Sequence, residues 1–165
     1  MVRSWLFRLK RFRYTKKTFI PNYTDKKKFK STMTTTACIE LRDLELSTDI
    51  GTYGPGDIIP KQHLLDLTLW IDSALVLIST DLMASVFDYD PLVVEIDSLA
   101  RDGHYETQER LMTRIVEACA KYLEIESIEI GLKKLPVRSG TGSLGVRLSV
   151  DSATLNKIRS STTSA

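Results

Sequence analysis

The chain has 165 residues, 42% hydrophobic and 27% charged, with a formal net charge of +2. That length and balance suit one ordinary globular core and exclude a fibrous or wholly disordered chain. No apolar run approaches the roughly 18 residues of a membrane span, and Cys38, Cys119, His63 and His104 stand at no zinc-ligand spacing, so no metal site is expected.

The small net charge hides an asymmetry. Residues 1–32 carry 11 Lys/Arg against Asp25 alone, whereas the rest of the chain carries 12 basic and 20 acidic residues. An acidic body offers no nucleic-acid face, so no nucleic-acid partner is expected for it. Three readings of the basic stretch stay open: sequence upstream of a start at Met33, an Arg-rich targeting peptide, or a basic arm for nucleic acid or an anionic surface. We set residues 1–36 apart as a basic, disordered extension, with one domain at 37–152 and a Ser/Thr-rich tail at 153–165 whose last seven residues read as disordered.

From Ala37 to Ser47 apolar Ile39, Leu41, Leu44 and Leu46 alternate with polar residues, with a slip at Asp43 that predicts a bulge. Glycines and a proline make a loop of residues 49–57. A second strand follows from Gln62 to about Ser73, with Leu65, Leu67, Leu69 and Ile71 on one face, and is expected to pair antiparallel with the first. Asp90 as N-cap and Pro91 open a helix with Leu92, Val93, Ile96, Leu99 and Ala100 as its buried stripe, ending at Gly103. The next helix spans 105–122, capped by Thr107, its buried face running from Leu111 to Tyr122. Glu109 falls in its first turn, where a carboxylate either complements the helix dipole or, beside free amides, meets the donor edge of a flat heterocycle. Two alternating strands close the domain, with Ile128, Ile130 and Leu132, then Leu144, Val146, Leu148 and Val150, facing inward. Both cysteines read as reduced core residues.

The order strand, strand, helix, helix, strand, strand predicts an α+β fold: a four-stranded antiparallel sheet with two helices on one face. Short strand edges on a small domain suggest edge-to-edge assembly.

Five stretches in this order carry a resemblance. They are Ile39-Glu40-Leu41-Arg42-Asp43-Leu44 with Gly51, Leu65-Asp66-Leu67-Thr68-Leu69, and Thr80-Asp81-Leu82 with Val86-Phe87-Asp88-Tyr89. Glu109-Arg110-Leu111 with Arg114-Ile115, and Lys133-Lys134-Leu135-Pro136, complete the set. Together they resemble the dihydroneopterin aldolase/epimerase family of tunnelling-fold proteins over roughly Ile39 to Val150. The resemblance implies a ring-shaped homo-oligomer with sites at subunit interfaces, a cytoplasmic location, and a pterin substrate whose side chain is cleaved with neither metal nor cofactor. Glu109 matches the glutamate that grips the pterin, and Gln108 and Phe87 are its implied substrate-binding companions. Lys134, on the face of Ile130 and Leu132, matches the lysine that works near the ring nitrogen, with Lys133 turned away. Tyr89 matches a tyrosine supplied by the neighbouring subunit. The first loop departs from the pattern: Asp49-Ile50 replace a Tyr-His pair, and Gly56 stands where the family has a catalytic glutamate. Asp57 is the nearest carboxylate, either a base or a turn-stabilising residue. Epimerisation and pterin binding without turnover are the alternatives to aldol cleavage.

Overall fold

The structure, a computed structural model, describes residues 35–162; the basic stretch of residues 1–32 and the last three residues of the tail lie outside it. Strand β1 (Ala37–Glu45) is followed by a two-residue strand β2 (Asp49–Ile50) and the long β3 (Gln62–Ile71). Two short 3-10 turns lead to α1 (Asp90–Ala100), β4 (His104–Tyr105) and α2 (Gln108–Cys119), and then β5 (Ile125–Leu135), β6 (Leu144–Val150) and α3 (Ser152–Thr162). The main sheet is antiparallel in the order β1-β3-β5-β6, and β2 pairs with β4 in a separate parallel pair.

Alternation explains where the core lies. Leu65, Leu67, Leu69 and Ile71 of β3 share a face with Ile128, Ile130 and Leu132 of β5, and all are buried. Leu92, Ile96 and Ala100 of α1 and Leu111, Met112, Ile115, Val116 and Cys119 of α2 cover that face. Thr107 caps α2 as its sequence predicts, its hydroxyl accepting the Arg110 N–H at 3.3 Å. The expected bulge in β1 is present: register shifts between Leu41 and Leu44, and Asp43 takes a φ of 49°.

The structure departs from the sequence expectations in four places. Helix α1 begins at Asp90 with Tyr89 as its cap residue, because the Asp88 carboxylate accepts the Asp90 N–H at 3.2 Å. Cys38 is half-buried opposite Trp70, on the face away from the core, whereas Cys119 is fully buried, its thiol pushed up to about 12 by burial. In β6 only Val150 is buried; Leu144 and Leu148 stay exposed, since β6 is an edge strand that the helices do not cover.

The fourth departure is a third helix where a Ser/Thr-rich tail is expected. The Asp151 carboxylate accepts the Thr154 N–H at 2.8 Å and starts α3, and Leu155 is fully buried. Arg159 donates to the carbonyls of Ala120, Tyr122 and Ile125 at 2.9, 2.7 and 2.5 Å. Carbonyls past the end of α2 need donors, and a composition-based reading of Ser and Thr does not register them.

Candidate functional site

The site begins with two adjacent lysines at the end of β5. Their side chains take opposite faces, as strand alternation requires. Lys133 is level with Leu64 on the face away from the helices, where its Nζ donates to Asp43 Oδ1 at 2.8 Å and Asp66 Oδ2 at 3.3 Å. Asp66 also accepts the Asp43 N–H at 2.9 Å, so this cluster pins the β1 bulge. Hydrogen bonds to Asp43 and Asp66 raise the Lys133 pKa; the Asp43 amide, then Lys133, hold the Asp66 carboxyl below the usual range.

Lys134 takes the helix-bearing face, level with His63. Its ammonium lies 5.8 Å from the centre of the Tyr53 ring, a cation–π distance. Tyr53 reaches that position because the chain turns at Gly51 with φ 93°: a Cβ there would stand 3.0 Å from the Tyr53 hydroxyl and 3.2 Å from its ring carbons. A side chain at position 51 would displace the ring.

The same turn is tied to α2. The Gly51 N–H donates to the Tyr105 carbonyl at 2.8 Å and the Thr52 hydroxyl to Glu106 at 3.2 Å, two and one residues before the Thr107 cap. The first loop, the end of β5 and the start of α2 therefore converge at one end of the sheet. Glu109 is exposed in the first turn of α2, and its carboxylate has no hydrogen-bond or ion-pair partner among the described residues. Gln108 Oε1, Thr48 Oγ1 and His63 Nε2 are buried without partners among those residues. Burial, then the Lys134 charge, lowers the pKa of His63.

The other sequence candidates are engaged in contacts of their own. Asp57 is exposed and closes a turn: its Oδ2 accepts the Gly54 N–H at 2.7 Å and its own N–H donates to the Gly54 carbonyl at 3.1 Å. Phe87 is buried edge-on against Tyr122, with ring centres 5.5 Å apart. Tyr122 lies past the far end of α2, a helix that runs about 16 Å from Gln108 to Cys119. Half-exposed Tyr89 sits at the entry to α1, beside a 180 Å³ cleft lined by Ile39, Leu41, Leu67 and Leu92. One chain thus gathers Lys134, Gln108 and Glu109 and leaves Tyr89 and Phe87 on the β1 side. Sequence reasoning missed His63 and Tyr53. His63 keeps step with Leu65 and Leu67, so alternation alone puts an imidazole in the apolar stripe; nothing in the sequence singles out Tyr53.

Among the described residues no group of three or more His, Cys, Asp or Glu is placed to hold a metal, and no helix is long and apolar enough to cross a membrane.

Comparison with known proteins agrees with the fold. Dihydroneopterin aldolase from Burkholderia thailendensis, solved bound to guanine, superimposes with a TM-score of 0.60 at 20% identity, covering 70% of this chain and 91% of that one. FolB from Vibrio cholerae gives 0.61 at 20% identity, covering 72% and 99%. E. coli dihydroneopterin aldolase in complex with neopterin gives 0.58 at 18% identity, covering 68% and 97%. No curated protein matches the sequence significantly. The family comparison matches residues 39–149, most of the described chain, to FolB: Dihydroneopterin aldolase, and the chain belongs to that family.

Proposed function

We propose that this chain is a dihydroneopterin aldolase-type carbon–carbon lyase. It would cleave the side chain of a 7,8-dihydropterin to 6-hydroxymethyl-dihydropterin and glycolaldehyde, in folate or related pterin biosynthesis. The observation that carries this reading is the convergence of Lys134 with the unpaired Glu109 carboxylate at one end of the sheet. A pterin presents an amino group and a ring N–H side by side, and a carboxylate accepts both in charge-assisted bonds. Glu109 would take that edge. Lys134, a cation resting on an aromatic face and in no ion pair among the described residues, would give a proton to the ring as the electrons of the breaking bond arrive. The heterocycle is itself the electron sink.

The reading also calls for a second copy. Tyr89 lies beside β1 and Lys134 next to β6, and these strands are the two edges of the sheet. A neighbour bringing its β1 flank to the exposed Leu144 and Leu148 of β6 would cover both leucines and carry its Tyr89 toward Lys134.

The test incubates purified protein with dihydroneopterin, its 2′-epimer and its triphosphate, and follows glycolaldehyde and pterin products. Light scattering measures the assembly. Release of 6-hydroxymethyl-dihydropterin supports the aldolase, and interconversion of the epimers without release supports an epimerase. Binding without turnover has its own supporting observation: Gly56 replaces the loop carboxylate, and Asp57 is engaged in its turn.

A further inference from the structure

We propose that His63 is a positioning residue for Lys134: a neutral imidazole that accepts one ammonium N–H and aims the lysine at a bound pterin. This inference rests on the reading of the preceding subsection.

Register supplies the first argument. His63 and Lys134 are directly opposed partners on β3 and β5 and share a face, which puts their Cβ atoms about 4.5–5.5 Å apart. Burial supplies the second. His63 is 6% exposed, one of two buried polar side chains among the described residues, and its Nε2 has no partner there. Such a nitrogen is costly to leave unmet, and the opposing side chain carries three donors. The Tyr53 ring satisfies the charge of Lys134 but offers no directional acceptor. When Lys134 swings from that ring toward a ligand, His63 is placed to take one N–H and fix the direction of the others.

The setting keeps the imidazole in its accepting form. The charged or titratable groups near this end of the sheet include Lys133 and Lys134 on β5, Glu45 at the end of β1, Asp49 on β2, His104 on β4, Tyr53, Asp57 and Lys61 in the loop, and Glu106, Glu109 and Arg110 at the start of α2. Of these, Lys134 is the one whose charge bears on His63, and it acts with burial to lower the pKa. Protonation would remove the acceptor and set a second positive charge beside the lysine. Pterin binding should therefore carry an acid limb that belongs to His63.

The experiment uses the full chain and neopterin as probe. Imidazole nitrogen NMR follows His63 against pH in the parent and in Lys134→Met, and neopterin affinity is measured across the same range for the parent, His63→Gln and His63→Phe. Removing the lysine charge should move the His63 titration upward. Parent affinity should fall by up to about tenfold per pH unit once His63 protonates. His63→Gln, which keeps an acceptor, should bind without that limb, and His63→Phe, which fills the space without one, should bind roughly five- to tenfold more weakly at neutral pH. A His63→Phe protein that binds like the parent with the same pH profile overturns the proposal. If no variant binds neopterin at any pH, the pterin reading falls instead. The imidazole titration then decides alone: an upward shift in Lys134→Met sustains the pairing, and no shift removes it.

Discussion

Lys133 and Lys134 are neighbours in sequence and meet opposite surroundings. On the face away from the helices, charges answer one another: Lys133 with Asp43 and Asp66, and Arg42 with Glu40 and the Thr68 hydroxyl. On the helix-bearing face at the same end of the sheet, some polar groups have no partner among the described residues: His63 Nε2, Gln108 Oε1 and the Glu109 carboxylate. The two buried groups, His63 Nε2 and Gln108 Oε1, each cost about 1–3 kcal/mol in the free protein. Sequences that break a local rule in this way tend to do so at functional sites. In the proposed reading, one face is closed for stability and the other is left open for a ligand.

Substituting each lysine in turn tests that division. Lys134→Met should lower aldolase turnover by about 10²–10⁴-fold, the range of a positioned acid–base group, with little change in melting temperature. Lys133→Met should do the reverse, keeping turnover near the parent while destabilising the bulge cluster. Steady-state kinetics and thermal melts on both variants give the comparison directly; equal turnover losses would erase it. Glu109→Gln is next in size. It keeps the shape and loses the charge, so neopterin affinity should fall by about 1.5–3 kcal/mol per charged hydrogen bond lost, with the assembly state measured by light scattering the same as the parent's.

The two faces also differ in how legible they are from sequence. Alternation along β3 and β5 is a property of the chain itself, so the core stripe, the bulge at Asp43 and the opposite turning of the two lysines can all be read from residues 39–46, 62–71 and 127–134. The Thr107 cap and the first-turn position of Glu109 are local as well. What stays hidden depends on approach between distant segments. The Gly51 bond to Tyr105 joins residues 54 positions apart, and without it neither the β2–β4 pair nor the place of Tyr53 over Lys134 follows. Helix α3 is hidden for a similar reason: its Arg159 meets carbonyls more than 30 residues earlier. Asp66 is legible as a polar residue on the outer face, but not as the acceptor that closes the bulge.

Asp66 is accordingly the sharpest probe of the closed face. Asp66→Ala strands the Asp43 N–H and removes one of the two carboxylates on Lys133, and should cost about 1–2 kcal/mol in urea denaturation near neutral pH. The pH dependence has a definite sign. The folded Asp66 carboxyl titrates below its unfolded value, so its contribution is fully present above about pH 4, the ordinary range of an aspartate. It is lost as pH falls through the lower folded value. Stability measured near pH 7 and near pH 3 should therefore differ less in Asp66→Ala than in the parent. An identical pH slope in the two proteins would assign the acid sensitivity to other carboxylates.

The smallest effect is expected at Asp57, which lies in the first loop and yet behaves like a member of the closed set. Its Oδ2 already accepts the Gly54 N–H at 2.7 Å, in a turn closed again by its own N–H to the Gly54 carbonyl. An asparagine keeps an oxygen acceptor for that turn, so Asp57→Asn should leave stability within about 0.5 kcal/mol of the parent, as surface changes usually do. Turnover should also stay near the parent, because a carboxylate already engaged by an amide in an exposed turn is poorly placed to take a hydroxyl proton. Thermal melts and steady-state kinetics in the same buffer read both quantities. A turnover loss of about 10²-fold with unchanged neopterin affinity would show that Asp57 leaves its turn to act as the base. The first loop would then supply the carboxylate that Gly56 lacks, and the open face would include a residue that the free chain holds closed.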